Sequence, residues 1–152
     1  MHYWLMKSEP DTFGIQHLMA RPQQTEPWDG VRNYQARNMM RDQMQVGDLA
    51  FFYHSNCTEP GIVGIMKIIR AGYPDITAQN PESPYFDPKA SAADPRWYRV
   101  DVQFQRQFSR TITLQEMKQH PLLEGMAVLA RGSRLSITPV SETHWQHILS
   151  LA

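Results

Sequence analysis

The chain has 152 residues, of which 41% are hydrophobic and 20% charged, and its formal net charge is zero. That length suits a single domain with its own core, which needs neither a disulfide nor a metal to fold, and the composition excludes a disordered chain. Neutrality excludes a protein that coats nucleic acid through a general basic excess, so any such binding has to rest on a local basic patch beside a selective pocket.

In chain order, residues 2–7 read as a short buried strand that Ser8, Glu9 and Pro10 end, because proline lacks the N–H of a ladder and fixes φ. Residues 14–20 read as a short helix with Ile15, Leu18 and Met19 on one face. Residues 21–31, with Pro22, Pro27 and Gly30, read as a loop, and 33–43 as a helix that Asn33 caps. Gly47-Asp48 turns the chain into the apolar strand Leu49–His54. The turn Thr58-Glu59-Pro60-Gly61 joins it to a second strand, Ile62–Ile69, apolar on both faces and so central or inside a barrel.

Residues 71–96 hold five prolines and read as one long loop that also carries Tyr73, Tyr85 and Phe86. Residues 97–106 alternate as a half-buried strand, with Tyr98, Val100, Val102 and Phe104 on one side. Thr113-Leu114-Gln115-Glu116 is a capping box, and Pro121 ends its helix. Residues 126–131 and 134–138 are expected as strands on either side of Gly132. Ser141 caps a last helix whose inner face is Trp145, Ile148, Leu149 and Ala152. Strands cluster in sequence and do not alternate with long helices. The expected fold is therefore α+β, mainly β: one domain over 1–152, a small, partly open β-barrel with short peripheral helices.

Much familiar chemistry has no sequence support. No GxGxxG, GxxxxGK or GxSxG motif occurs. The single cysteine, Cys57, can build neither a disulfide nor a thiolate zinc site, and it suits a reducing cytoplasm. His144 and His147 lie three apart with no third ligand near them, which favours two solvent-facing histidines. His54 and Cys57 lack an orienting acid for a dyad. No catalytic group, metal or cofactor is expected. The N-terminus lacks the pattern of a signal peptide, no apolar run reaches the ~20 residues of a membrane span, and a monomer is the expected state.

Four constellations remain. Trp28-Asp29-Gly30 leads into Asn33 through alternating Arg and Asn. The indole either plugs the barrel or offers a wall on which a base stacks, and Asn33 either caps its helix or reads a base edge. Lys7-Ser8-Glu9 at a strand end is either a surface turn or a rim that bonds a base edge and a phosphate. His54-Ser55-Asn56 sits at a second strand end as turn chemistry or as another part of that rim. Arg131-Gly132-Ser133-Arg134 is a tight turn or a phosphate contact of guanidinium forks.

Six ordered blocks in this chain resemble the EVE domain family, a branch of the PUA-like fold related to YTH domains: Tyr3–Pro10, Trp28–Asn38, Gly47–Asn56, Pro60–Gly64, Pro95–Tyr98 and Gly132–Ser136. Gly14 departs from the pattern, since a serine is expected to open that helix. The resemblance implies a PUA-like barrel with a pocket for a modified base, a modified cytosine in DNA or a modified RNA base. It implies Trp28 as one wall, Lys7-Ser8-Glu9 and Asn33 along the base edge, and Tyr85 or Phe86 as the second wall. The alternatives are a nucleotide- or RNA-processing enzyme using Glu9 or His54, and a protein-interaction module that takes a peptide.

Overall fold

The structure, a computed structural model, describes residues 1–152. Its elements are β1 (Tyr3–Ser8), α1 (Pro10–Phe13), α2 (Ile15–Ala20), β2 (Thr25–Pro27), α3 (Tyr34–Asn38), β3 (Leu49–His54), β4 (Gly61–Pro74), β5 (Tyr98–Thr113), α4 (Leu114–Met117), β6 (Ile137–Val140) and α5 (Glu142–Leu151). The six strands form one sheet in the order β2-β5-β4-β3-β1-β6. Only β1 and β3 run parallel. The sheet does not close, because β2 and β6 each keep an unpaired edge. Parallel neighbours need a long crossover. Here the crossover is the stretch between Glu9 and Asp48, which carries α1, α2, β2, the Trp28 segment and α3.

Both faces of the sheet are covered, which is why the central strands read as continuous apolar runs. Trp4 and Met6 of β1 and Ala50 and Phe52 of β3 enter one core with Leu18, Trp28, Met66 and Val102. The residues between them, Leu5, Phe51 and Tyr53, enter a second core beneath α5. There the Trp145 ring stacks on Phe51 and Tyr3, with centroids 3.9 and 4.4 Å away. The long hairpin of β4 and β5 changes register repeatedly. Gly64 lies at one of these shifts, where a Cβ would stand 2.2 Å from the Arg106 carbonyl oxygen and 2.5 Å from Ile15 Cδ1. Only glycine lets β5 and α2 come that close.

Several expectations are corrected. Residues 126–131 are not a strand. Ala127–Leu129 make a 310 turn, and Met126 and Val128 plug the second core. Gly125 and Gly132, at φ +87° and +72°, turn the chain too often for a ladder to form. Pairing begins only at Ile137, against Met6. The supposed loop 21–31 contains edge strand β2, paired with β5. β4 runs on to Pro74, and β5 runs to Thr113. Helix α3 ends at Asn38 and passes into a π-helical turn, Met39–Gln43. The capping box at Thr113 is half made. Thr113 Oγ1 accepts from Glu116 N, but the Glu116 carboxylate is taken by Arg110. His147 is not solvent-facing, since its Nε2 lies 3.1 Å from His120 Nδ1.

Candidate functional site

The crossover and the proline-rich segment together build a slot of about 350 Å³, within the range of roughly 300–1,000 Å³ usual for small-ligand sites. Trp28 enters it from a fixed position. Its backbone N–H donates to the Val100 carbonyl, and its indole meets Phe52 and Phe13 edge-on at 5.4 and 6.2 Å between centroids. The residue is only 6% exposed. Trp28 is therefore a core residue that also lines the slot.

Tyr85 closes the other side. Gly30 has φ +77°, and a Cβ on it would lie 2.7 Å from Tyr85 Cε1 and Cζ. The phenol ring thus rests on the one backbone position that carries no side chain. Arg32 and Asp75 hold the ring there. Arg32 Nε and Nη2 both donate to the Tyr85 carbonyl, at 3.2 and 2.7 Å, and its guanidinium lies 5.4 Å from the centre of the Trp97 ring. Arg32 Nη1 and the Gly30 N–H both donate to Asp75 Oδ2, at 3.2 and 2.9 Å. The Asp75 side chain is fully buried. Burial pushes its carboxyl up, but hydrogen bonds from Thr77 and Gly30 and the charge of Arg32 outweigh that and hold it below the usual aspartate value. Asp75 and Arg32 thereby tie the loop of Tyr85 to the turn of Trp28.

Besides Arg32, the polar lining comes from Lys7, Ser8, Thr12, Arg21, Glu26, Asp29 and Ser136. Burial lowers the pKa of Lys7. Arg21 donates to Glu26 and lies over the Phe13 ring, 5.2 Å from its centre. Asp29 is pushed above its usual value, first by burial and then by the charge of Asp75, against the pull of Arg99. The Arg99 Nη1 atom is 3.5 Å from Asp29 Oδ2.

Of the residues singled out in the sequence, Lys7, Ser8, Trp28, Asp29, Gly30 and Tyr85 meet in this slot. The others lie elsewhere. Phe86 is exposed and lines a neighbouring hollow of about 300 Å³ on the far side of Tyr85 and Arg32. Asn33 caps α3, with its Oδ1 accepting from Ala36 N at 3.0 Å. Glu9 and Asn56 meet each other, Nδ2 to Oε1 at 3.2 Å, and Ser55 N donates to the Ser8 carbonyl. His54 Nε2 accepts from Ile15 N at 3.1 Å, so it supplies to α2 the acceptor that Gly14 lacks. Arg131, Ser133 and Arg134 form an exposed turn outside the lining, although Ser136, just beyond it, lines the slot and accepts from Lys7 N.

Sequence reasoning passed over Phe13, Arg21, Glu26, Arg32 and Asp75. Arg32 stood inside the Trp28–Asn38 block, but Asp75 gave no local signal, because its role depends on a partner 45 residues away.

Comparisons with known proteins bear on the family. The EVE domain family model matches residues 2–151. Thymocyte nuclear protein 1 of Danio rerio is 47% identical over 165 residues, which covers 97% of this chain and 71% of the relative. A Pseudomonas syringae crystal structure superposes with TM-score 0.93 at 48% identity, covering 98% of each chain. The human THYN1 protein, solved in complex with 5-methylcytosine-containing DNA, superposes with TM-score 0.94 at 45% identity and covers 99% of this chain and 97% of its own. On the blocks that build the slot, on the fold and on these matches, the chain belongs to the EVE domain family.

Proposed function

We propose that this protein binds nucleic acid by taking one modified base, a modified cytosine in DNA foremost, into the slot between Trp28 and Tyr85. The observation that carries the reading is the Tyr85 ring seated over Gly30 beside Trp28, with Lys7 and Arg21 in the lining. A hollow of this size lined by aromatic side chains suits a base extruded from its stack. Extrusion costs a few kcal/mol, which stacking at about 1–3 kcal/mol per base and edge hydrogen bonds offset. The human relative captured on 5-methylcytosine DNA supports the same ligand class. RNA carrying a modified base remains a second ligand for the same slot chemistry, and a monomer suffices for it.

Binding rather than catalysis fits the site. Neither His54 nor Cys57 lines the slot, and the His54 ring nitrogen is occupied as a helix cap. The test is fluorescence anisotropy with matched oligonucleotides that carry cytosine or 5-methylcytosine at one position. The native protein is expected to prefer the methylated strand. Tyr85→Ala is expected to weaken that binding by roughly tenfold or more, in line with the loss of one stacking surface. Trp28→Phe is the gentler probe of the other wall, because truncating a buried indole to alanine costs roughly 3–5 kcal/mol of stability. Affinity should fall only shallowly with salt, since few phosphates are neutralised. Equal affinity for the two strands, or Tyr85→Ala binding as tightly as the native chain, refutes the reading.

A further inference from the structure

A slot that accepts a 5-methylpyrimidine faces a problem of discrimination, because thymine carries the same methyl group at the same ring position. Apolar surface from Trp28, Phe13 and Val31 would receive that methyl equally from either base. The two bases differ at ring position 4, where cytosine presents an amine donor and thymine a carbonyl acceptor. Separating them calls for a group that attracts one and repels the other.

The slot holds two carboxylates of unequal availability. Glu26 is engaged, its Oε2 accepting from Arg21 Nε at 3.2 Å. Asp29 accepts no hydrogen bond from any other residue, and the backbone N–H that acts on its carboxylate is its own. The N–H of its neighbour Gly30 is spent on Asp75, and its cationic neighbour, Arg99, approaches only to 3.5 Å at one oxygen. Its side chain is one third exposed, on the slot wall. A partly desolvated carboxylate with acceptor capacity to spare gains from an N–H donor and loses against a carbonyl lone pair. Lys7 and Arg21 would serve a ring O2 or a phosphate that both nucleotides present, so they do not separate the bases.

We infer that Asp29 is the residue that sets the slot's preference for a base bearing a 4-amino group, and so distinguishes 5-methylcytosine from thymine. The inference rests on the slot being the base pocket. It makes Asp29 a specificity determinant, where the aromatic walls supply affinity.

The experiment uses the full chain and single-stranded oligonucleotides identical except at one position, which carries 5-methylcytosine, cytosine, thymine or 5-methyl-2-pyrimidinone, an analogue with hydrogen in place of the amine. Competition anisotropy with the native protein should place thymine and the analogue roughly ten- to a hundredfold weaker than 5-methylcytosine, the usual worth of a good base-edge contact. Asp29→Asn, whose amide can donate to a 4-carbonyl, should narrow the ratio of 5-methylcytosine to thymine roughly tenfold, chiefly by strengthening thymine binding.

Native protein that binds the analogue or thymine as tightly as 5-methylcytosine overturns the inference, even where cytosine is still discriminated and the slot reading stands. An unchanged ratio in Asp29→Asn overturns it likewise. Failure of the native chain to prefer 5-methylcytosine over cytosine strikes the slot reading itself, and this inference with it. The comparison of analogues needs no variant, so it decides the matter even if Asp29→Asn fails to fold.

Discussion

Replacing Gly30 with alanine perturbs the slot at a single atom. The new methyl would sit 2.7 Å from two carbons of the Tyr85 ring, far inside the ~3.5–4.0 Å of an ordinary carbon contact. Nothing else need move first, because Gly30 N is fixed to Asp75 and Trp28 N to Val100. The ring therefore has to retreat. Its loop resists, since Arg32 holds the Tyr85 carbonyl with two hydrogen bonds. A positive φ of +77° adds a backbone cost of about 1–2 kcal/mol for any residue with a Cβ. Together with the strain of overpacking, about 1–3 kcal/mol, a loss of roughly 2–5 kcal/mol is expected, which lowers Tm by roughly 4–20 °C at this chain length.

Urea unfolding would measure that loss, and anisotropy with a 5-methylcytosine oligonucleotide would report binding at least tenfold weaker. The double variant Gly30→Ala with Tyr85→Ala separates the causes. Removing the ring should restore the overpacking part of the stability while binding stays weak, a coupling well above the ~0.5 kcal/mol scatter of independent sites. Additive losses, or Gly30→Ala that binds within twofold of the native chain, would refute the placement of Tyr85 as the second wall.

Other perturbations reach the supports of the slot and its surroundings. Asp75→Ala leaves Arg32, Gly30 N and Thr77 without their shared acceptor and is expected to cost about 3–5 kcal/mol by chemical denaturation. The folded-state pKa of Asp75 lies below its unfolded value near 3.8, so its contribution is complete above that value and fades as pH falls through the folded pKa. Stability measured from about pH 5 down to about pH 2 should accordingly drop less steeply in Asp75→Asn than in the native chain, with the difference opening below the unfolded value. His54→Ala removes the acceptor at the start of α2, with an expected loss of about 0.5–2 kcal/mol and oligonucleotide affinity within twofold, which would also exclude a role for His54 in the slot. Trp145→Ala, in the opposite core, should cost about 3–5 kcal/mol in urea unfolding and leave base discrimination intact in whatever fraction remains folded.

Legibility in the sequence followed the range of the interactions involved. The strands over 2–7 and 49–54, the cap at Asn33 and the cap at Ser141 were readable because each depends on neighbours a few residues apart. Met126 and Val128 misled for the same reason: an apolar run looks alike whether it pairs as a strand or plugs a core. Trp28 and Tyr85 could be named in the sequence, but choosing Tyr85 over Phe86 required the contact with Gly30.

What the sequence determined by itself was the composition of a neutral, mainly β chain, most of its strands and the six blocks that mark its family. Only the tertiary structure decided which polar residues share one hollow. Glu9, His54 and Asn56 look like rim residues from their strand ends, yet their side chains turn to partners 39 to 47 residues away. Arg21 and Asp75, silent in the sequence, and Arg32, noted there only within its block, become wall and scaffold. The physical reason is that a hydrogen-bonded site forms where distant backbone segments are brought within about 3 Å of one another, and that proximity belongs to the packed sheet and its crossover, not to any local stretch of chain.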